Sequence, residues 1–315
     1  MAERYAFLFP GQGSQAPGMG KELCEAYPES RQVFEAADSA LETELSKTCF
    51  EGTQEQLALT ETTQPAILTV STAALRALEA RGLRPAAVAG HSLGEYSAHV
   101  AAGTVDFEDA VRAVRLRGRF MQDAVPVGLG AMAAIIGGDA QMIEEACRAE
   151  AGDEVCAAAN LNSPGQVVIA GHRTAVERAV ERLKGEGIRK AAFLPVSAPF
   201  HCDLMQPAAE KLAPVLAAID FRDSEVPVYV NVDAEPVQDG SAARRALIRQ
   251  VASTVRWHEV IELMVKDGIE TFVEIGPGRV LAGLMRRIHK PAKVLNVEDP
   301  AGVEAAVEAL GGSQA

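Results

Sequence analysis

Gly90-His91-Ser92-Leu93-Gly94 is a Gly-x-Ser-x-Gly stretch. That spacing suits a serine nucleophile on a sharp strand-to-helix turn. Glycine has no Cβ, so the backbone on either side of Ser92 can crowd and leave the hydroxyl exposed at the turn. A helix starting just beyond it aims free N–H groups and its positive dipole end at the serine. An ester or thioester oxygen held there is stabilised as it becomes an oxyanion. Serine is a poor nucleophile at its own pKa, so the chemistry also needs a base within hydrogen-bond reach. The chain has six histidines. His201, in Pro199-Phe200-His201-Cys202, lies where the chain can face the turn, although a helix-capping role fits the same position. His91 adjoins the serine but is expected to point away, because chain neighbours do not share a direction. His99 falls in an apolar helix and reads as core. His172, His258 and His289 have no special context.

The elements around these residues follow from the hydrophobic pattern. Ala86 to Ala89 is a short apolar run fit for a buried strand, and Glu95 to Ala102 reads as a helix. Tyr5 to Phe9 is a second buried strand, ending at Pro10-Gly11-Gln12-Gly13-Ser14-Gln15. That turn can present backbone N–H groups to Ser92. Residues 18–50 read as surface helices. A long helix runs from Thr60, its expected N-cap, to about Arg81. Asp106 is expected to cap a helix reaching about Ala124 that carries Arg112, Arg115, Arg117 and Arg119. Three of these read as a solvated face. Arg117 lies about 200° around from Arg115 at 100° per residue, so it is free to turn inward. From Gly128 the order becomes β-α-β-β-α-β, a ferredoxin-like unit. It divides the chain into a large unit, 1–127 and 198–315, and a small insert, 128–197. Pro199 and Ser197 suit the turn that leads back into the large unit. Helices at 206–218, 240–252, 257–267 and 280–289 alternate with strands at 226–230 and 270–275. That alternation implies a parallel sheet covered on both faces. The tail from Gly311 is expected to fray.

The chain has 315 residues, 48% of them hydrophobic and 23% charged, ample for a large core. The net charge of −13 argues against a general nucleic-acid binder. No run approaches the length of a membrane helix, and Met1 to Tyr5 enters a strand with no signal-peptide pattern. The five cysteines are scattered and lack metal spacing, which fits reduced thiols in a cytoplasmic protein.

Together these motifs resemble the malonyl-CoA:acyl-carrier-protein transacylases along essentially the whole chain. The stretches that carry the likeness include Phe9-Pro10-Gly11-Gln12-Gly13-Ser14-Gln15, Thr63-Gln64-Pro65 and Gly90-His91-Ser92-Leu93-Gly94-Glu95-Tyr96. To these add Arg117-Gly118 with Met121-Gln122, Asn160-Leu161-Asn162-Ser163-Pro164-Gly165-Gln166, Pro199-Phe200-His201 and Glu274-Ile275-Gly276-Pro277-Gly278. The resemblance implies an α/β fold: an α/β-hydrolase-like core with an inserted ferredoxin-like subdomain. It implies Ser92 as nucleophile, His201 as base, and the backbone N–H groups of Gln12 and Leu93 as the oxyanion hole. Arg117 would pair with the malonyl carboxylate. The backbone carbonyl of Gln250 would orient the histidine in place of a triad carboxylate. Gln64, Met121, Asn160, Asn162 and Phe200 would line the site. The implied partners are malonyl-CoA and an acyl carrier protein, with no metal or other cofactor, and a monomer is expected.

A thioesterase or esterase on the same kind of core is the rival reading. Such enzymes order their triad Ser, Asp or Glu, His, and many carry a His-Gly-Gly-Gly loop. This chain has no such loop, and Asp106, Asp109 and Asp123 lack a strand-end context. A non-catalytic interaction protein is a third possibility, and the intact Ser92, Arg117 and His201 set weighs against it.

Overall fold

The computed structural model describes residues 4–196 and 198–311. Among these residues ten strands form two sheets. They are β1 (Tyr5–Phe9), β2 (Ala87–Gly90), β3 (Gly130–Ile136), β4 (Cys156–Ser163), β5 (Gln166–His172), β6 (Lys190–Phe193), β7 (Val228–Val230), β8 (Glu235–Val237), β9 (Thr271–Ile275) and β10 (Lys293–Val297). The larger sheet has the order β10-β9-β1-β2-β7-β8 and is parallel except for β8, which returns antiparallel along β7. Its central strands β1, β2, β7 and β9 are buried throughout or nearly so, as expected where helices cover both faces. Because these strands run parallel, their C-terminal ends meet along one edge. Phe9 pairs with Gly90 and Ala89 with Tyr229, so the turns after β1, β2 and β7 lie side by side. Sites on open α/β sheets gather at this edge.

The second sheet has the order β4-β5-β3-β6, every pair antiparallel, with the helices Ala140–Ala151 and Arg173–Gly185 packed on it. That is the ferredoxin-like topology. The pairing of β4 with β5 skips a residue at Ala159 and another at Asn162. Such bulges re-aim side chains, and here they fall beside Asn160 and Asn162. The stretch around Val255 bonds to β4, with Leu161 N–H donating to the Val255 carbonyl and Val255 N–H to that of Ala159. It thereby ties the small sheet to the segment that follows Gln250.

Several local expectations need correction. The long helix Thr60–Ala80 begins at Thr60, so Thr60 is not its cap; Leu59 occupies that place without a side-chain cap. The Asp106 side chain does not cap the helix Phe107–Asp123 but bonds Arg222. An exposed ion pair outcompeted the free N–H groups. Strands β8 and β10 and the helices Gln54–Ala58 and Pro300–Leu310 went unread in the sequence. The expectations for Ser197, for Met1–Glu3 and for the end of the tail lie outside the described residues.

Candidate active site

Ser92 sits at the end of β2 with φ +51°, a left-handed conformation that costs a non-glycine residue energy and occurs at nucleophile elbows. The crowding predicted from the glycines is present. A Cβ on Gly90 would fall 1.9 Å from the backbone of Gly94, and one on Gly94 would fall 2.0 Å from the Phe9 carbonyl oxygen. The turn is held by Asn231, just past β7. Its Oδ1 accepts from Ser92 N–H at 2.7 Å and its Nδ2 donates to the Gly90 carbonyl at 2.8 Å.

His201 lies 2.7 Å from the serine, Nε2 to Oγ. Its Nδ1 is 2.9 Å from the backbone carbonyl of Gln250. A carbonyl can only accept, so Nδ1 carries the proton and Nε2 presents its lone pair to the serine O–H. Among the described residues no carboxylate is bonded to this imidazole. Burial, and then the Arg117 charge, hold the imidazole far below its ordinary range, at about 3. It is therefore neutral, and ready to accept a proton, at physiological pH.

Arg117 is 1% exposed. One terminal nitrogen donates to Gln64 Oε1 at 2.7 Å; the other donates to Gln250 Oε1 at 2.8 Å and to Ser92 Oγ at 3.2 Å. Its Nε has no partner among the described residues. The guanidinium carbon stands 5.6 Å from the centre of the Tyr96 ring. Desolvation lowers the Arg117 pKa, but a guanidinium keeps its proton in proteins. Of its five N–H groups three are engaged, and among the described residues no carboxylate bonds it; the Glu95 carboxyl acts on it through space.

These groups open into a cavity of about 410 Å³ between the two sheets. Gln12, Gln64, Ser92, Leu93, Arg117, Met121, Asn160, Asn162, Phe200 and His201 all line it. Gln250 lies behind the wall, fully buried. Gln12 is in the turn after β1. Neither its backbone N–H nor that of Leu93 is taken up by a hydrogen bond among the described residues. Gln64 Nε2 contacts Met121 Sδ at 3.8 Å, which fixes the amide so that its oxygen faces Arg117. A larger, more polar surface groove of about 510 Å³, around Leu45 and Gly52, contains none of these groups.

His91 contradicts the expectation. It lines the same cavity, its Nε2 bonding Asn162 Oδ1 at 2.8 Å and its ring standing edge-on to Trp257. Alternation of side chains holds within a strand, and His91 is already in the turn. His99 is buried, both ring nitrogens without a partner among the described residues, as core, and burial depresses its pKa to about 3. Two further polar residues bond directly into this site. Asn231 is a polar residue directly after the apolar run Val228–Val230, beside the elbow strand, and that signal was available. Glu95 was visible only as a motif residue. It is fully buried, and desolvation raises its carboxyl to about 7 against the pull of bonds from Gln250 and Asn231 and of the Arg117 charge.

The acyl transferase domain family matches residues 6–303. The malonyl CoA-acyl carrier protein transacylase of Bacillus subtilis is 49% identical over 309 residues, 98% of this chain and 97% of its own. The solved transacylase of that name from Coxiella burnetii superposes with a TM-score of 0.96 at 45% identity, covering 98% of both chains. A malonyl-transacylase solved in complex with a type II polyketide acyl-carrier protein superposes at 0.95 with 46% identity, over 98% of this chain and all of that one.

Proposed function

The chain belongs to the acyl transferase domain family, and from that premise we infer that it moves a malonyl group from malonyl-CoA to the phosphopantetheine thiol of an acyl carrier protein. The observation that carries the reading is one serine oxygen within 2.7 Å of an imidazole and 3.2 Å of a buried guanidinium whose bonds go to neutral groups. His201 Nε2 takes the Ser92 proton as Oγ attacks the thioester carbonyl. The N–H groups of Gln12 and Leu93 receive the oxyanion. The tetrahedral intermediate collapses, the C–S bond breaks, and CoA leaves as its thiol with the proton from His201. The carrier's thiol then attacks the acyl-serine by the same steps in reverse. Arg117 meets the malonyl carboxylate, a planar donor matched to a planar acceptor. Gln64 and Gln250 hold that guanidinium, and Gln250 orients His201 through its carbonyl. Met121, Asn160, Asn162 and Phe200 form the walls. No step calls for a metal or redox cofactor, since proton transfer and charge stabilisation come from these side chains.

We place the small subdomain at 128–197 and the large one at 1–127 with 198–315, which matches the division of strands between the sheets. We take a monomer as the working form, and five free cysteines fit a cytoplasmic setting. No helix among the described residues is long and apolar enough to cross a membrane. The test is intact-mass measurement after mixing with malonyl-CoA. A malonyl adduct at Ser92, discharged by carrier protein much faster than by water, is the expected result. No adduct, or discharge to water at the same rate, sinks the reading.

A further inference from the structure

We propose that Glu95 is a positioning residue: its buried carboxylate fixes which way the Gln250 amide faces, and through that amide it holds the Arg117 guanidinium towards Ser92. The inference rests on the acyl-transfer reading above. Glu95 is in the first turn of the helix Gly94–Ala101, directly after the elbow, with no exposed surface. Its Oε2 accepts from Asn231 N–H at 2.8 Å and from Gln250 Nε2 at 3.0 Å, and its Oε1 has no partner among the described residues. An apolar side chain would fill this space without that desolvation cost, so a half-satisfied buried carboxylate calls for an explanation.

The explanation lies in what Gln250 must do. Its Oε1 accepts from Arg117, its Nε2 donates to Glu95 and to the Ser92 carbonyl at 3.0 Å, and its backbone oxygen accepts from His201. The two ends of an amide have nearly the same shape, so only the partners decide its orientation. A guanidinium only donates and therefore demands Oε1. Glu95 Oε2 already accepts from Asn231 N–H, so with or without a proton on Oε1 it acts as an acceptor and demands Nε2. If the amide flipped, its NH₂ would face the donors of Arg117, and its oxygen would face a carboxylate and a carbonyl. All three side-chain bonds would be lost. The Ser92 carbonyl votes the same way, but it is a backbone group of the turn itself, whereas Glu95 is the side chain that fixes the amide from the far side. Asn231 anchors Glu95 to the same turn that it clamps, so the orientation is referenced to the nucleophile itself.

Two substitutions separate bond direction from charge and from packing. Glu95→Gln keeps the reach: its amide oxygen stays on Asn231 N–H and still receives Gln250. Glu95→Asp keeps the charge but is one methylene shorter, which withdraws the acceptor from Gln250. Rate constants for Ser92 acylation by malonyl-CoA and by acetyl-CoA are measured by rapid quench and mass. Labelling by a neutral fluorophosphonate counts working elbows. In the Asp variant the malonyl-to-acetyl ratio should fall at least about tenfold while labelling changes less than about threefold. In the Gln variant the ratio should stay within about threefold of wild type. An unchanged ratio in Asp overturns the proposal. So does a ratio lost in Gln, which being isosteric keeps the test alive if Asp fails to fold. A joint fall of both acylations and labelling means a merely structural residue and also overturns it. Absence of malonylation in the wild type would instead sink the acyl-transfer reading.

Discussion

Replacing Arg117 tests the assignment of the acyl group most directly. The guanidinium is buried, keeps its charge, and among the described residues bonds three neutral acceptors, with the Glu95 carboxyl acting on it only through space. A malonyl carboxylate supplies a bonded anion. An acetyl group supplies a methyl and leaves the charge unmatched. Removing one partner of a buried, hydrogen-bonded ion pair costs about 3–5 kcal/mol. At about 1.4 kcal/mol per factor of ten, that is roughly two to nearly four decades in rate. Arg117→Ala should therefore lower kcat/KM for malonyl-CoA by about 10² to 10⁴ relative to acetyl-CoA. Acetyl transfer itself should hold or rise, because the unmatched charge beside its methyl has gone. Arg117→Lys keeps a charge, but its single nitrogen cannot take the place of two terminal nitrogens bonding Gln64, Gln250 and Ser92. Its ratio should fall between those of wild type and Ala. Stopped-flow acylation with both CoA esters gives the three ratios. If the ratio in Arg117→Ala equals that of wild type, Arg117 is structural and its pairing with malonyl is refuted.

Burial and the Arg117 cation hold the His201 pKa at about 3, so the base stays proton-free on the acid side of neutrality. Arg117→Ala removes one of those two causes and should move the acid limb of the acylation rate to higher pH; a shift to lower pH, or none, contradicts the reading. His99, also depressed to about 3, binds no proton in the folded state until far below the usual histidine range near 6.5 at which the unfolded chain takes one up. Stability should thus fall by about 1.4 kcal/mol per pH unit for this residue between about pH 6 and 4, and urea unfolding of His99→Leu should show a slope shallower by that amount. On the surface, Arg112 and Arg119 are paired with Asp109 and Asp123, whereas the exposed Arg287 bonds Gln166, which lines the cavity. Arg287→Glu should raise KM for an acidic carrier protein about tenfold and leave acylation by malonyl-CoA unchanged, since only the larger partner meets this rim charge; equal losses in both half-reactions would rule the rim out.

The elements legible in the sequence were those whose pattern has one physical cause. The buried strands Tyr5–Phe9 and Ala87–Gly90 are uninterrupted apolar runs, and the glycines at 90 and 94 announce a backbone approach that no side chain permits. The β-α-β-β-α-β order read from residues 128–197 matches the strands and topology of the small sheet. Strand β10 escaped because its pattern is weak: Lys293 is exposed and the next three residues are only half-buried, so nothing alternates. Strand β8 is three residues including a proline, which makes sense only as an edge paired antiparallel to β7.

The site divides along a different line. Ser92 and the helical phase of Arg117 could be read locally, because a turn and a helix fix direction over a few residues. The partners of Arg117 could not, since Gln64 is 53 positions away and Gln250 133. Gln250 shows why. Its neighbours form no motif, yet four bonds converge on it, from Arg117 and His201 and to Ser92 and Glu95. A residue whose work is to face several others at once carries no local signature. The sheet edge assembles it: parallel strands bring the turns after β1, β2 and β7 together, and the segment after Gln250 is stitched to β4 through Val255. The misreading of His91 has the same root. A rule valid along a strand was carried one residue past its end, where the positive φ of Ser92 already bends the chain. In this fold, local sequence fixes where the nucleophile stands, while the groups that aim the base and the cation at it are set by tertiary pairing.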